Sequence, residues 1–305
     1  MNLTAIILTL NEEQHLPRCL ESLRDVTDSV LVADSFSSDR TVAIAEAQGA
    51  RVVQHPFVNH AQQFNWALAQ LDPCTDWVLR IDADEYLTPE LAVEIRERLE
   101  GLRSEIDGVL LERRMTFQGR MIRFGGVFPV QVLRLFRYGR GECENRWMDE
   151  HIRVSGETIR FVSELIDDNL NSLTWWIDKH NRYANREAVE MLNLEYGFMP
   201  SGSATNLRSG TQAGLKRWLK ERVYANLPGG ARATFYFLYR YILRAGFLDG
   251  RAGFAFHFLQ GFWYRYLVDA KVAEVRRHMA NTGSPIQKSI LAVLEIDVGH
   301  RPKSE

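Results

Sequence analysis

Cysteine is scarce in this 305-residue chain, and Cys19, Cys74 and Cys143 form an odd, scattered set without metal-ligand spacing. That argues against a disulfide framework and suits a reducing compartment. Net charge is nearly absent, at -2 with an isoelectric point of about 6.5, so nothing global suggests nucleic acid as a partner. No apolar run is long enough to span a bilayer. The opening MNLTAIILTLNEEQ lacks the basic start and small-residue cleavage site of a secretory leader, so a cytoplasmic location is the expectation. No GxGxxG or GxxxxGK[ST] follows any apolar run of the first hundred residues, which disfavours a dinucleotide cofactor or a P-loop ATPase. If phosphate is bound, a metal and basic side chains must neutralise it in place of a glycine-rich loop.

The first hundred residues repeat one pattern, a short β-branched apolar run, a polar break and a helical period. Strands are expected at Leu3 to Thr9, Ser29 to Ala33, Ala50 to Val53 and from Trp77. The helices between them carry Leu16, Leu20 and Leu23, then a segment ending at Gln48 with Ser38 or Asp39 as cap, then Phe64, Ala67, Leu68 and Leu71 behind a cap at Asn59. Strands alternating with helices imply an α/β protein with a mostly parallel central sheet, whose ligand lies beyond the carboxyl ends of the strands. Asn11 and Glu12, Asp34 and Ser35, and Asp82 to Glu85 should therefore converge on one crevice. In an extended chain Asp82 and Asp84 fall on the same side, where they can share one hard divalent cation with a diphosphate.

Taken together, TAIILTLNEE, VLVADSFSSDRT, AQQFNWAL and WVLRIDADE resemble the amino-terminal half of family 2 glycosyltransferases of the GT-A fold. The resemblance implies that Thr9, Asn11, Glu12 and Asp34, with Ser35, hold a nucleotide. It implies that Asp82 and Asp84 bind Mg or Mn or face the diphosphate, and that Asn65 and Arg80 lie near the donor. Ser35 and Phe36 stand where the family usually carries a second aspartate and a glycine. It further implies a catalytic region over residues 1–170, with a nucleotide-binding half at 1–105 and an acceptor half at 106–170.

Gly108 to Arg114, Gln131 to Arg137 and His151 to Val154 alternate as strands do. Between the last two lies ENRWMDEHI. Glycosyl transfer with inversion needs one carboxylate to take the proton of the attacking hydroxyl. This segment is similar to the place where the family carries its base, which points to Glu150, with Asp149 second. His151 is a candidate third metal ligand or a group that orients the base. From Ser172 a helix carries Lys179, Arg182 and Arg186 on one face, suited either to the donor diphosphate or to a solvated ion-paired surface. The QxxRW motif of processive synthases is absent, so one sugar per encounter is expected.

Residues 171–305 read as a helical region. From Gly214 to Arg277 there are 12 Lys or Arg against 4 Asp or Glu, whereas the rest of the chain has 25 against 35. The same stretch holds 15 of the 33 aromatic residues. Arg232, Arg240 and Arg244 fall on one side of an ideal helix, and only 13 uncharged residues separate Arg251 from Arg265. A basic, aromatic helix pair of this kind suits an anionic membrane surface more than a span. The region also resembles the carboxyl-terminal part of bacterial glycosyltransferases that build lipopolysaccharide core, O-antigen or exopolysaccharide on lipid-linked acceptors at the cytoplasmic face. The resulting expectation is metal-dependent, inverting transfer of one sugar from a nucleotide-diphosphate sugar to a lipid-linked saccharide. The alternatives are a sugar-phosphate nucleotidyltransferase, or a saccharide- or lipid-binding module with an inactive transferase site.

Overall fold

The computed structural model describes residues 1–144, 151–199 and 229–299. The chain divides into two compact units, Met1–Asn171 and Ser172–Glu305.

In the first unit, β1 (Leu3–Thr9), β2 (Ser29–Asp34), β3 (Arg51–Gln54) and β4 (Trp77–Asp82) are parallel in the order β3-β2-β1-β4. They are separated by α1 (Leu16–Leu23), α2 (Thr41–Ala47) and α3 (His60–Leu68). Helices cover both faces of β1, so it reads as a continuous apolar run instead of alternating. Leu3, Ala5 and Ile7 pack with Leu16, Leu20 and Leu23 of α1, while Ile6 packs with Phe64 and Ala67 of α3. Each fully buried leucine contributes about 1.5–3 kcal/mol relative to exposure. The register pairs Thr9 with Asp34 and Leu8 with Asp82, which aligns the carboxyl ends of three strands on one edge.

Past β4 the sheet is mixed. The chain continues as β5 (Glu85–Leu87), α4 (Pro89–Arg98), β6 (Ile106–Phe117), β7 (Arg120–Met121), β8 (Val130–Arg137) and β11 (Glu157–Asp167). β8 lies antiparallel between β4 and β6, β11 runs parallel to β6, and β5 closes the edge antiparallel to β11. β9 (Gly141–Cys143) and β10 (Ile152–Val154) form a separate two-stranded sheet.

The second unit is helical. α5 (Leu173–Tyr196) starts at Ser172, whose hydroxyl accepts from the Trp175 amide at 3.2 Å, and ends at Gly197 in the left-handed region. α6 (Gly229–Leu238) runs into a π-helical turn, Tyr239–Leu243, and a 3-10 turn, Gly246–Asp249. Then follow α7 (Gly250–Phe256), a π-helical stretch His257–Trp263, α8 (Tyr264–Thr282) and α9 (Ile286–Leu294). Ala184, Ala188 and Leu192 of α5 pack with Val268, Val272 and Val275 of α8 and Ile290 of α9. Among the described residues no helix is long and apolar enough to cross a membrane.

Candidate active site

The loops after β1 and β2 are laced together by side-chain hydrogen bonds. Asp34 is fully buried, and its carboxylate accepts from Thr9 Oγ1 (2.9 Å), from the amide and hydroxyl of Ser37 (2.9 and 2.5 Å), and from Gln54 Nε2 (3.0 Å). Burial alone raises its pKa, but these bonds from Ser37, Gln54 and Thr9 outweigh that and hold it below the usual carboxylate range. Asp34, expected as a nucleotide contact, has its acceptor sites taken within the protein and anchors the Ser37 loop. Thr9 is likewise buried beneath it. Ser35 Oγ accepts from Gln63 Nε2 at 3.2 Å.

Asn11 is exposed at a left-handed φ of 57°. Its amide donates to Ser37 Oγ (2.8 Å) and its Oδ1 accepts from the Ser38 amide (2.8 Å). The Glu12 amide donates to Thr41 Oγ1 at 2.8 Å, and its carboxylate meets His15 Nδ1 at 2.6 Å. His15 Nε2 accepts from the Leu170 amide at 2.9 Å, so the shared proton sits on Nδ1 and Glu12 accepts it. Ser38 and Asp39 were expected as caps of α2, but the cap position falls on Arg40, which makes no side-chain capping bond; Asp39 lies one residue earlier and accepts from the Thr41 amide at 2.9 Å.

The acidic segment is not extended. β4 ends at Asp82, Ala83 and Asp84 form a turn, and β5 starts at Glu85. The premise that Asp82 and Asp84 share one face of an extended chain is therefore corrected: the turn sends them to different partners. Asp82 Oδ2 accepts from Arg134 Nη2 at 2.7 Å, and Asp82 Oδ1 lies 3.9 Å from Arg80 Nε. Glu85, buried beneath, accepts from the same Arg134 nitrogen at 2.5 Å and from the Asp82 amide at 3.0 Å. Desolvation pushes the Asp82 carboxyl up, but Arg134 and Arg80 pull it well below its ordinary value, whereas burial leaves Glu85 raised. Asp84 is bound more lightly, with Oδ2 accepting from Asn169 Nδ2 at 3.0 Å.

Three residues next to this turn were not singled out by the sequence. Arg134 lies one position past the last β4–β8 pair, Leu79 with Leu135, and is buried beside Arg80. Asp167 ends β11 opposite Glu85, 3.8 Å from Arg113. Burial, then the negative charge of Asp84, pushes its pKa up to about 8. Asp168 is held by Arg18, whose Nη1 donates to Oδ2 at 2.6 Å and whose Nη2 donates to the carbonyl at 2.7 Å. The one sequence signal for Arg134 was an arginine inside the apolar strand VQVLRLFR.

Among the described residues, no group of three or more His, Cys, Asp and Glu stands ready to hold a metal. His151 is exposed, immediately before β10, and does not join Asp82 and Asp84 in such a group. A cation that takes most of its ligands from a diphosphate and water needs only one or two carboxylates. Asp84 fits that need, because among the described residues its carboxylate is hydrogen-bonded to a neutral amide and no guanidinium; Asp82 is already balanced by Arg134.

Asn65, expected near the donor, serves the framework: Nδ2 donates to the Cys143 carbonyl and Oδ1 accepts from the Cys143 amide, both at 2.9 Å. It thereby pins the end of β9, directly before the segment ENRWMDEHI that carries Asp149 and Glu150. Those two residues lie outside the described residues. Lys179 and Arg182 lie on α5 in the second unit, with Lys179 Nζ 4.6 Å from the centre of the Trp175 ring.

The sequence model described as "Glycosyl transferase family 2" matches residues 4–159. An uncharacterized glycosyltransferase of Rickettsia conorii is 45% identical over 93 residues, which cover 30% of this chain and 32% of that protein. The lipopolysaccharide core biosynthesis glycosyltransferase LpsC of Rhizobium meliloti is 35% identical over 148 residues, covering 47% and 53%. The chain thus spans about a third to a half of the length of these relatives. Among solved structures, glucosyl-3-phosphoglycerate synthase of Mycobacterium tuberculosis, in complex with Mn2+, UDP and glucosyl-3-phosphoglycerate, is 23% identical with a TM-score of 0.31, covering 38% of this chain and 44% of that one.

Proposed function

The chain belongs to glycosyltransferase family 2, and from that premise we propose that it transfers one sugar, with inversion, from a nucleotide-diphosphate sugar to a lipid-linked saccharide. The observation that carries the reading is the register of the sheet. It sets the Asn11 loop, the Ser37 loop and the acidic turn at the carboxyl ends of three adjacent parallel strands, the side on which such sheets take ligands.

Asn11, Glu12, Ser35 and Ser37 form the nucleotide side, with Thr9 and Asp34 setting the shape of the loop from beneath. Asp84 holds Mg or Mn, with Asp82 facing the diphosphate beside Arg80 and Arg134. When bound, the cation screens the negative charge that develops on the departing diphosphate. Glu150, with Asp149 as second candidate, accepts the proton of the acceptor hydroxyl, and His151 orients that base. Lys179 and Arg182 offer positive charge to a diphosphate or an acidic acceptor. LpsC carries a lipopolysaccharide core biosynthesis name, which together with the basic, aromatic second unit supports a lipid-linked acceptor at the cytoplasmic face of the membrane.

A thermal-shift panel of UDP, GDP, dTDP and CMP sugars, each with and without Mn2+, tests this reading. One nucleotide class should raise the melting temperature, and only with the metal. No shift from any member would overturn the donor assignment.

A further inference from the structure

The hairpin made by α6, the two π-helical segments and α7 buries polar side chains against Phe256 and leaves much of its apolar surface outside. Around the buried Phe256 ring its interior holds small residues and two polar side chains: Arg240 is 5% exposed, His257 is 0% exposed, and Ala233, Gly246, Gly253 and Gly261 are buried. Neither ring nitrogen of His257 has a hydrogen-bond partner among the described residues, and burial, followed by the nearby charge of Arg240, lowers its pKa to about 4. The close packing is set by glycine, since a Cβ at Gly246 would stand 2.6 Å from the His257 ring. The exterior at the tip is apolar. Leu243 is 77% exposed, Leu248 56% and Ile242 54%, with Tyr239 and Phe247 also exposed.

Water favours the opposite arrangement, with leucine and isoleucine inside and arginine outside. Contiguous apolar surface of this kind on a soluble chain marks a contact site. Two further features say what covers it. Arg244 and Arg251 are exposed at the same tip, with no ion-pair partner among the described residues, so the surface is apolar with a cationic border. Beside it, Phe237, Tyr241, Phe254, Phe258 and Phe262 form one ladder of rings, each 5.3–5.9 Å from the next. The ladder gives the hairpin a continuous aromatic flank, mostly phenylalanine, of the kind that an interfacial helix turns toward the acyl boundary.

We propose that the tip from Tyr239 to Arg251 is a bilayer-docking wedge: Ile242, Leu243, Phe247 and Leu248 enter the headgroup layer of an anionic membrane while Arg244 and Arg251 meet its phosphates. This deepens the membrane reading above by naming the element. It stands on the second unit alone, independently of sugar transfer. The wedge lies in the interface and does not span it.

Cosedimentation of the full chain with phosphatidylcholine vesicles, with and without about 30 mol% phosphatidylglycerol, tests this without donor or acceptor. Wild type should pellet with the anionic vesicles. Leu243→Asp with Leu248→Asp should weaken binding by at least roughly tenfold, and Arg244→Ser with Arg251→Ser by roughly twentyfold on anionic vesicles only. All four side chains are exposed, so the melting temperatures should stay within a few degrees of wild type. Wild type left in the supernatant, or an aspartate variant that pellets like wild type, would overturn the wedge. So would a wild-type dimer that the aspartates split while vesicle binding is unchanged, since the patch would then serve a second copy of the chain.

Discussion

Arg134 Nη2 donates to Asp82 Oδ2 at 2.7 Å from a strand antiparallel to the one that Asp82 terminates. The first carboxylate of the acidic turn is therefore already balanced by a buried guanidinium, and Glu85 shares the same nitrogen. Arg134→Ala leaves two carboxylates without their main cation, and breaking a buried pair in this way costs about 3–5 kcal/mol. Urea unfolding should show that loss. A change of less than about 1 kcal/mol would mean that Arg80 alone suffices.

Asn65 closes both of its amide bonds on Cys143. Asn65→Ala removes two hydrogen bonds worth about 1 kcal/mol each and loosens the base of the segment that bears Glu150. Turnover should fall several-fold more than donor affinity does. An equal loss in both would assign Asn65 to the donor instead.

Phe36 is 56% exposed at φ 60°, where the family usually carries glycine. A side chain in that region costs about 1–2 kcal/mol, and glycine gives back about 0.5–1 kcal/mol in unfolded-state entropy. Phe36→Gly should raise stability by about 0.5–1 kcal/mol, read by chemical denaturation. A loss would show that the ring makes a stabilising contact.

His180 stacks on Trp176 with ring centres 3.5 Å apart, and its pKa is lowered to about 4, chiefly by burial. A base with a depressed folded-state pKa binds its proton more readily when unfolded. Its contribution is complete above the unfolded value of about 6.5 and drains away as pH falls toward 4. His180→Gln should flatten the fall in melting temperature between pH 6.5 and 4. An unchanged profile would place the titration elsewhere.

Much of the first unit was legible because buried parallel strands announce themselves as short apolar runs. Leu3 to Thr9 and Trp77 to Asp82 need no long-range information. Asn59 as a cap was equally local, accepting from the Gln62 amide at 2.8 Å. The pairing of Arg134 with Asp82 was not legible, because it spans 52 residues and depends on β8 entering the sheet antiparallel. The turn at Ala83 was missed because two residues between short strands leave no periodicity. In the second unit, helical spacing placed Arg232, Arg240 and Arg244 on one side. The π-helical turn Tyr239–Leu243 holds more residues per turn than an α-helix, and this changes the phase. Arg240 is buried, Arg232 pairs with Asp269, and Arg244 alone of the three is exposed.

The account turns on Asp84, whose carboxylate accepts from the neutral amide of Asn169 and no guanidinium among the described residues, as the group that receives the cation accompanying the donor. The most direct measurement is isothermal titration of the nucleotide identified by the panel, with Mn2+ present, into wild type and Asp84→Asn. The account predicts metal-dependent binding by wild type and its loss in the variant, with the melting temperature of the free protein changed by no more than a few degrees. Metal-dependent binding of equal strength in Asp84→Asn would contradict it.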